Sequence, residues 1–125
     1  MNQGSVSPAY VHAMEQIIDE AGPYCVVAPG LALPHARPGS WVSRSSIGVL
    51  VLVSPVRFGL TRNDPVDVIV PFAATDCWSH FGTLTELARL FVTPASLVAI
   101  RQARSAAEIA LLFNTQHLVD EIAAW

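Results

Sequence analysis

Two short, nearly continuous apolar segments constrain the fold of this chain more than any other feature of its sequence. Ile47–Val53 and Val66–Ala74 are rich in β-branched residues, and each has the length of a β-strand. Strands that are apolar on both faces need cover on both faces, as central strands between layers of helices have. Tyr24–Ala28 predicts a further short strand. Pro71 cannot donate to a sheet ladder, so we expect an edge position or a bulge near that residue.

The segment before the first strand has the punctuation of a helix. Ser7–Gly22 is predicted as helical, with Ser7 as its N-cap, Pro8 in the first helical position and Gly22-Pro23 as the stop. Val11, Met14 and Ile18 fall on one face of this helix.

Helical periodicity returns after Ala74. An apolar stripe predicts a helix that starts either at Ser79 or at a capping box formed by Thr83 and Glu86. Further helix starts are predicted at Thr93-Pro94, at a Ser105–Glu108 capping box and at Thr115, the last helix ending near Trp125. Strands with helices before and after them predict an α/β fold: a three-layer α/β/α sandwich with a mixed β-sheet flanked by helices.

Composition excludes several classes of protein. The 125 residues suit one domain, and 52% hydrophobic against 14% charged residues excludes disorder. The longest apolar run is far shorter than the roughly 20 residues of a membrane span, and no signal peptide is visible. The formal net charge is −3, and all 7 basic residues are arginines without a basic patch, so we expect no nucleic-acid partner. Two cysteines are too few for a disulfide framework, which predicts a cytoplasmic protein.

The segment Ala28–Pro38 carries the first candidate for chemistry. Its prolines restrict their own backbone, and Pro34 pushes the residue before it away from helical geometry. A stiff segment of this kind holds His35 at the end of the first predicted strand, where ligands bind in open α/β sheets. Neutral imidazole has one unprotonated nitrogen and suits phosphoryl capture, and Arg37 can offer donors to phosphate oxygens. The alternative is a loop histidine whose neighbours only shape a turn.

His80 is the second candidate, at or just before a predicted helix start. Asp76, Ser79 and the free N–H groups of a first helical turn surround it, and a helix N-terminus is a natural anion site. His80 would then lie across a pocket from His35 and donate a hydrogen bond to a bound phosphoryl group. From residue chemistry alone, a partly buried structural histidine is the stronger interpretation.

A metal site finds little support in the sequence. Cys77 and His80 have a C-x-x-H spacing, but structural zinc needs four ligands. Only Cys25, His35 and two distant histidines remain to complete such a set. Cys25 lies in an apolar stretch and is expected to be a small core residue. We therefore expect neither a metal nor a cofactor.

The residues around His35 and His80 occur in an order that resembles a known family. Gly22-Pro23-Tyr24 followed by Val26–Pro38 is similar to the active-site segment of the enzyme IIA component of the bacterial phosphotransferase system (PTS), in its mannitol/fructose superfamily. The similarity continues through Pro55–Gly59 and Asn63–Val66 and ends with Ser79-His80 before the next helix. The Pro-His-Ala-Arg-Pro ending is closest to the ascorbate-specific type. The resemblance covers most of the chain.

The resemblance implies a mixed sheet between helical layers and a relay function. The phosphocarrier protein HPr, charged from phosphoenolpyruvate by enzyme I, would phosphorylate His35. A cysteine of a separate IIB component would then receive the group, for uptake of a sugar or an ascorbate-like substrate. His80 would be the second active-site histidine, which supports the phosphorylated state, and Arg37 and Ser79 would be auxiliary phosphate-binding candidates. The protein would meet a membrane only indirectly, through IIB and the membrane component IIC.

The sequence departs from this family at two places. Family members usually begin with a further helical segment, which is not found before Ser7, so we expect a shortened N-terminal part within a single domain of residues 1–125. Missing packing there would expose apolar surface and favour a homo-oligomer. In addition, Cys77-Trp78 replaces the polar residues that usually precede the serine and the histidine.

Two alternatives stand beside the phosphocarrier. The first is a PTS-linked regulatory domain, in which phosphorylation of His35 reports sugar flux through protein–protein interaction. The lack of a helix-turn-helix motif disfavours a complete regulator but leaves a partner-binding sensor open. The second, a metal or hydrolytic site built on His35 and His80, lacks a carboxylate partner and enough ligands.

Overall fold

The first helix begins at its proline. The computed structural model describes residues 7–21, 25–39, 41–59, 62–114 and 122–124. Helix α1 spans Pro8–Ala21, as predicted, because a first helical turn does not need the N–H that proline lacks. The predicted side-chain cap at Ser7 is wrong: its carbonyl accepts from the Tyr10 N–H, but its buried Oγ has no hydrogen-bond partner among these residues. The predicted stop at Gly22-Pro23 lies outside them.

The strands of the described ranges form one mixed sheet. They are β1 (Val26–Ala28), β2 (Leu31–Ala32), β3 (Ser46–Val56), β4 (Val66–Ile69), β5 (Phe72–Ala73) and β6 (Ile122–Ala124). Strand β2 pairs with β1 in antiparallel and with β4 in parallel orientation. Strand β3 pairs with both β4 and β5 in antiparallel orientation, and β6 runs parallel to β3. The predicted mixed sheet is therefore confirmed, and β3 is its longest strand.

Pro71 divides the segment that was predicted as one strand into β4 and β5. Both strands keep the same register against β3, with Leu50 opposite Ile69 and Ile47 opposite Phe72. Between these pairs, the Gly48 N–H donates to the Pro71 carbonyl at 2.9 Å. Proline has no N–H with which to return a bond, so the ladder is interrupted there, but the unchanged register shows no bulge at Pro71.

Helices cover the sheet on both faces. On one face lie α2 (Cys77–Phe91), α3 (Pro94–Gln102) and α4 (Ala106–Asn114). Their apolar side chains and those of the strands form one buried core, which comprises Leu31, Leu33, Ile47, Val49, Val68, Val70, Phe72, Leu87, Leu90, Ile100, Ile109 and Phe113. Neighbouring residues of a strand point to opposite faces. Accordingly, Ala73 packs not with this core but with Tyr10 and Met14 of α1. The predicted three-layer arrangement is confirmed.

Asp76 sets the start of α2, earlier than either predicted start. Its Oδ1 accepts a hydrogen bond from the Ser79 N–H at 2.8 Å, which makes it the N-cap. Thr83 is buried within the helix and not at its start. Aspartate caps helices as well as serine does, so the sequence offered three capping residues within one short stretch.

The later helices follow their predicted signals until the C-terminal end. Ser105 Oγ accepts from the Glu108 N–H at 3.2 Å, as its capping box requires, although Glu108 bonds back to the Arg104 N–H at 3.0 Å. The predicted helix ending near Trp125 is wrong, because Ile122–Ala124 forms β6. The outer edge of β3 offers these residues backbone partners that an isolated helix end lacks. Its predicted cap, Thr115, lies outside the described residues.

Helices α2 and α3 meet at a sharp bend. Thr93 precedes Pro94, the first residue of α3, but its side chain makes no capping hydrogen bond. No helix in the described ranges is long and apolar enough to cross a membrane by itself. Only α2 and α3 taken together reach that length and composition, and they are bent by 87°.

The C-terminal half of β3 carries exposed apolar side chains. The strand continues to Val56, beyond its predicted end at Val53. Val53 is fully exposed at 102%, and Val51 and Val56 are exposed at 38% and 49%. Exposed apolar surface is the feature from which a homo-oligomer was expected, and the homo-oligomer itself stays a prediction.

Gly30 connects β1 to β2 in a conformation that favours glycine. Its φ is +78°, and its carbonyl accepts the Asp67 and Val68 N–H groups at 3.0 Å each. The Arg101 guanidinium binds both oxygens of the Asp67 carboxylate, at 2.7 and 2.8 Å, next to this turn. A Cβ atom at residue 30 would meet the Arg101 guanidinium and lie 2.7 Å from Asp67 Oδ1.

Gly30→Ala is therefore expected to lower the free energy of unfolding by about 2 kcal/mol. The left-handed conformation costs a residue with a Cβ about 1–2 kcal/mol, and displacing the exposed Arg101–Asp67 pair adds less than about 1 kcal/mol. Urea denaturation measures the difference. Gly82→Ala is the control: Gly82 lies within α2 with open space around it, and we expect that variant to gain about 0.5–1 kcal/mol. Equal stability of the two variants would contradict the assignment of strain to Gly30.

Candidate functional site

His35 follows β2 in an extended segment that runs beside β5. The Phe72 N–H donates to the Pro34 carbonyl at 3.2 Å, which ties this segment to the sheet. The His35 ring is half-buried, and its Nδ1 lies 2.8 Å from the Leu33 carbonyl oxygen. A carbonyl oxygen can only accept a hydrogen bond, so Nδ1 must carry the proton. In the neutral ring, Nε2 is then the nitrogen with a free lone pair.

Three aromatic rings meet at this point. The Phe72 ring stacks on the His35 imidazole, with centroids 4.6 Å apart and planes inclined by 23°. The His80 ring lies beside both, at 5.3 Å from His35 and 5.5 Å from Phe72 between centroids. The structure thus brings together the two histidines that the sequence singled out, 45 positions apart in the chain, and Phe72 holds them on one platform.

His80 is the fourth residue of α2, and its surroundings favour the neutral imidazole. Its backbone N–H donates to the Asp76 carbonyl at 3.0 Å, within the regular helical pattern. Burial lowers the pKa of His80 below its ordinary value, and the positive charge that His35 can carry lowers it further. A neutral imidazole keeps one N–H as a donor and one unprotonated nitrogen. His80 can therefore donate one hydrogen bond to an anion bound at His35.

Ser79 has its polar groups engaged within the helix cap. Its N–H donates to Asp76 Oδ1 at 2.8 Å. Hydrogen bonds from the Ser79 N–H, the largest cause, and from the Ser79 and Thr75 hydroxyls lower the pKa of the Asp76 carboxyl group. The aspartate cap therefore already takes the Ser79 N–H, and the auxiliary phosphate-binding role of Ser79 stays a prediction.

Arg37 lies two residues after His35, and its side chain is exposed. This side chain makes no hydrogen bond or ion pair within the described part of the chain. Its carbonyl accepts from the Trp41 indole Nε1 at 3.1 Å, which shapes the turn after the histidine. Among the described residues, the hydrogen bond of the His35 ring goes to the Leu33 carbonyl and not to the Arg37 guanidinium.

Tyr10 of α1 reaches the site from the opposite face of the sheet, a contact that was not predicted from the sequence. Its hydroxyl donates to the Phe72 carbonyl at 2.8 Å and accepts from the Ala36 N–H at 3.0 Å. The available signal was the spacing of Tyr10 and Met14, which places both on one helix face. Both are buried, whereas Val11 of the predicted stripe is only half-buried.

Two large aromatic side chains on α2 are exposed, and one of them contacts His80. Trp78 and Phe81, both on the first turns of α2, are exposed at 88% and 64%. The Phe81 ring meets the His80 ring edge-on, with centroids 5.9 Å apart. Large exposed aromatic side chains beside a reactive group are typical of a surface that another protein covers.

The described ranges contain no group of three His, Cys, Asp or Glu side chains that is placed to hold a metal ion. Cys77 is exposed and Cys25 is half-buried. Burial raises the pKa of the Cys25 thiol, which fits its predicted place in the core. Cys25 packs beside the buried side chains of Val26, Ala32 and Val66.

Residues 1–116 match the family model of the phosphoenolpyruvate-dependent sugar phosphotransferase system, EIIA 2. The ascorbate-specific PTS system EIIA component of Salmonella typhimurium is 35% identical over 105 residues, which cover 83% of this chain and 68% of that one. The component of the same name from Escherichia coli K12 is 33% identical over the same coverage.

Solved structures show the same fold. The mannitol-specific cryptic phosphotransferase enzyme IIA CmtB of Escherichia coli has a TM-score of 0.79 and 26% identity, over 91% of this chain and 77% of that one. The IIA mannitol of Escherichia coli has a TM-score of 0.72 over 89% of this chain and 78% of that one, and at 22% identity it supports the fold alone. This chain therefore belongs to the EIIA type 2 family of the PTS, whose members are phosphocarriers in sugar uptake.

Proposed function

We propose that this protein accepts a phosphoryl group from phospho-HPr on Nε2 of His35 and passes it to a cysteine of a IIB component. The observation that carries the proposal is the 2.8 Å hydrogen bond between Nδ1 and the Leu33 carbonyl. Because this bond places the proton on Nδ1, it leaves the other nitrogen as a nucleophile. The stacked Phe72 ring restrains the imidazole, and a restrained nucleophile loses little freedom on reaching its line of attack.

The transfer balances without any added reagent. The P–N bond of the donor phosphohistidine breaks, and its electron pair stays on the donor nitrogen while the Nε2 lone pair forms the new P–N bond. His35 then becomes a cationic ring, and its Nδ1–H bond to the Leu33 carbonyl becomes charge-assisted. In the second step a cysteine thiolate of IIB forms a P–S bond, and the electron pair of the P–N bond returns to Nε2. Both steps depend mainly on positioning, because phosphoryl transfer proceeds through a loose transition state.

His80 is proposed to donate a hydrogen bond to the phosphoryl oxygens. Its ring centroid lies 5.3 Å from that of His35, so His80 lies beside the imidazole that would carry the group. The lowered pKa favours the neutral imidazole, which still carries one N–H to donate to the incoming group. A donor that faces the charge of a transferring group accelerates the transfer.

The auxiliary roles of Arg37 and Ser79 have less support. The Arg37 guanidinium is exposed two residues from His35, so it can swing toward a docked, phosphorylated partner. The Ser79 hydroxyl binds Asp76 and would have to leave the helix cap to contact phosphate. We propose Arg37 as an outer contact of the phosphoryl group, and Ser79 as a residue that acts mainly through the cap.

The class of transported substrate comes from the relatives. Those with 33–35% identity are named ascorbate-specific EIIA components, and we propose an ascorbate-like or sugar substrate for the system that this protein serves. The substrate itself never meets this chain in the proposed relay. Transport activity of the reconstituted IIB and IIC components with ascorbate and with mannitol would decide the substrate.

Trp78 and Phe81 are proposed to form the contact surface for phospho-HPr. Serine at either position is expected to raise the half-saturating phospho-HPr concentration about tenfold, because exposed aromatic anchors dominate protein interfaces. Steady-state transfer at varied phospho-HPr measures this change. Val92→Ser is the matched control, since Val92 is 80% exposed at the other end of α2 and should leave the value unchanged. A wild-type value for both aromatic variants would exclude this surface.

The proposed function is tested with labelled phosphoenolpyruvate, enzyme I, HPr and this protein. We expect one labelled phosphoryl group per chain, lost in mild acid and retained in alkali, as a P–N bond requires. Adding the cognate IIB component should move the label onto its cysteine. Label that never leaves this protein would favour the regulatory alternative over the carrier.

A further inference from the structure

Tyr10 lies at the buried junction between α1 and the two segments that carry the site. Its side chain is 1% exposed. The hydroxyl donates to the Phe72 carbonyl at 2.8 Å, accepts from the Ala36 N–H at 3.0 Å and lies 3.3 Å from the Ala36 carbonyl. Ala36 directly follows His35, and Phe72 carries the ring that stacks on the His35 imidazole. One hydroxyl group therefore joins the backbone of Ala36, next to the histidine, to the backbone of Phe72, whose ring stacks on it.

The other contacts of this junction show what the hydroxyl adds. The bond from the Phe72 N–H to the Pro34 carbonyl, at 3.2 Å, is longer than the bond that Tyr10 makes to Phe72. The Trp41 ring packs edge-on against the Tyr10 ring at 5.9 Å, and the Trp41 carbonyl accepts from the N–H before α1 at 2.9 Å. Burial raises the pKa of the Tyr10 hydroxyl, so it keeps its proton and stays a donor. Helix α1 is thus held at its start, and the hydrogen bonds of Tyr10 fix Ala36 and Phe72 relative to this helix.

We infer that Tyr10 is a positioning residue for phosphoryl transfer, which holds the His35 imidazole against Phe72 and at a fixed distance from His80. The inference rests on the proposed function of His35 as the phosphoryl acceptor. Without the hydroxyl, the Ala36 N–H and the Phe72 carbonyl would be buried without this partner, and the two segments would move apart to satisfy them. A nucleophile displaced by about 1 Å can lose up to about a hundredfold in rate.

The test compares Tyr10→Phe with Met14→Ala. The control removes packing from the same buried face of α1, where Met14 is 5% exposed, but takes no hydrogen bond from the site. Single-turnover transfer from phospho-HPr is measured at temperatures where thermal melts show both variants folded. We expect the limiting rate of Tyr10→Phe to fall about tenfold, with an unchanged half-saturating phospho-HPr concentration. Met14→Ala should keep the wild-type rate.

Nitrogen NMR of the His35 imidazole gives a second readout, which a merely structural role would not move. The wild type and Met14→Ala are expected to show one tautomer with the proton on Nδ1, and Tyr10→Phe a mixture of both tautomers. A wild-type rate and tautomer in Tyr10→Phe, or an equal loss of rate in both variants, would overturn the inference while His35 remained the acceptor. Label that persists without His35 would instead overturn the proposed function.

Discussion

Replacing His35 with glutamine is expected to reduce phosphoryl incorporation from one group per chain to none. Glutamine has about the reach of histidine, but its side-chain nitrogen belongs to an amide and has no lone pair for attack on phosphorus. The described contacts of the His35 ring are one hydrogen bond to the Leu33 carbonyl and its stacking with Phe72 and His80. The variant should therefore fold, and the loss should be one of chemistry. Labelled phosphoenolpyruvate with enzyme I and HPr measures it directly.

A second histidine variant tests whether the loss of phosphoryl incorporation is specific to His35. His12 lies on α1 with its side chain 69% exposed, near Glu15 and away from the ring cluster. His12→Gln should incorporate the full amount of label at the wild-type rate. Circular dichroism of both variants checks that the fold is intact. Retention of acid-labile label by His35→Gln would remove His35 as the acceptor, and simultaneous loss in His80→Gln would move the assignment to His80.

The sheet and most helices could be predicted because their signals are local. Ile47–Val53 and Val66–Ala74 are nearly continuous apolar segments, which predicts strands in the interior of a sheet, although Val51 and Val53 of β3 are exposed. The start of α2 was missed because Asp76, Ser79 and Thr83 satisfy the same capping physics, and tertiary packing chooses among them. Strand β6 was missed because its short Ile-Ala-Ala segment is a strand only in the presence of the β3 edge.

In the candidate site, too, features that are local in the sequence could be predicted, and contacts between distant residues could not. The stiff segment around His35 and the ordered motifs that follow it are visible in one dimension. The partnership of Tyr10 is not, because its hydroxyl bonds to residues 26 and 62 positions away in the chain. The position of Tyr10 on the apolar face of its helix indicates that the side chain will be buried. It does not indicate which backbone groups the hydroxyl will bond to. Positioning residues are therefore harder to find from one sequence than reacting ones.

Replacing His80 with alanine is expected to slow phosphorylation of His35 about a hundredfold without abolishing it. The imidazole lies 5.3 Å from His35 between centroids, and a single preorganised donor to a transferring group has an effect of this order. His80→Gln keeps an N–H donor of similar reach and should recover part of the rate. Single-turnover rates of the three proteins with the same phospho-HPr preparation measure the series. An unchanged rate in His80→Ala would remove this residue from the site.

The pH dependence of phosphorylation separates a contact with the phosphoryl group from mere proximity. In the free protein, burial and then the charge of His35 lower the pKa of His80. A phosphoryl group on His35 places about two negative charges beside it, which favours the cation and raises that pKa. A group that binds its proton more tightly in one state favours that state as the pH falls. Between about pH 8 and pH 6 the equilibrium with phospho-HPr should therefore shift toward the phosphorylated wild type.

His80→Gln has no titrating group at this position and should lack that shift. Both proteins share the same donor, so the pH dependence of HPr cancels in the comparison. Nitrogen NMR of His80 gives the same quantity directly: its pKa should lie below the ordinary value before phosphorylation and above it afterwards. Identical pH profiles for the wild type and His80→Gln would show that the charge of the phosphoryl group does not change the pKa of His80. The rate effect of His80→Ala would then reflect packing against Phe72 and His35 instead of a donated hydrogen bond.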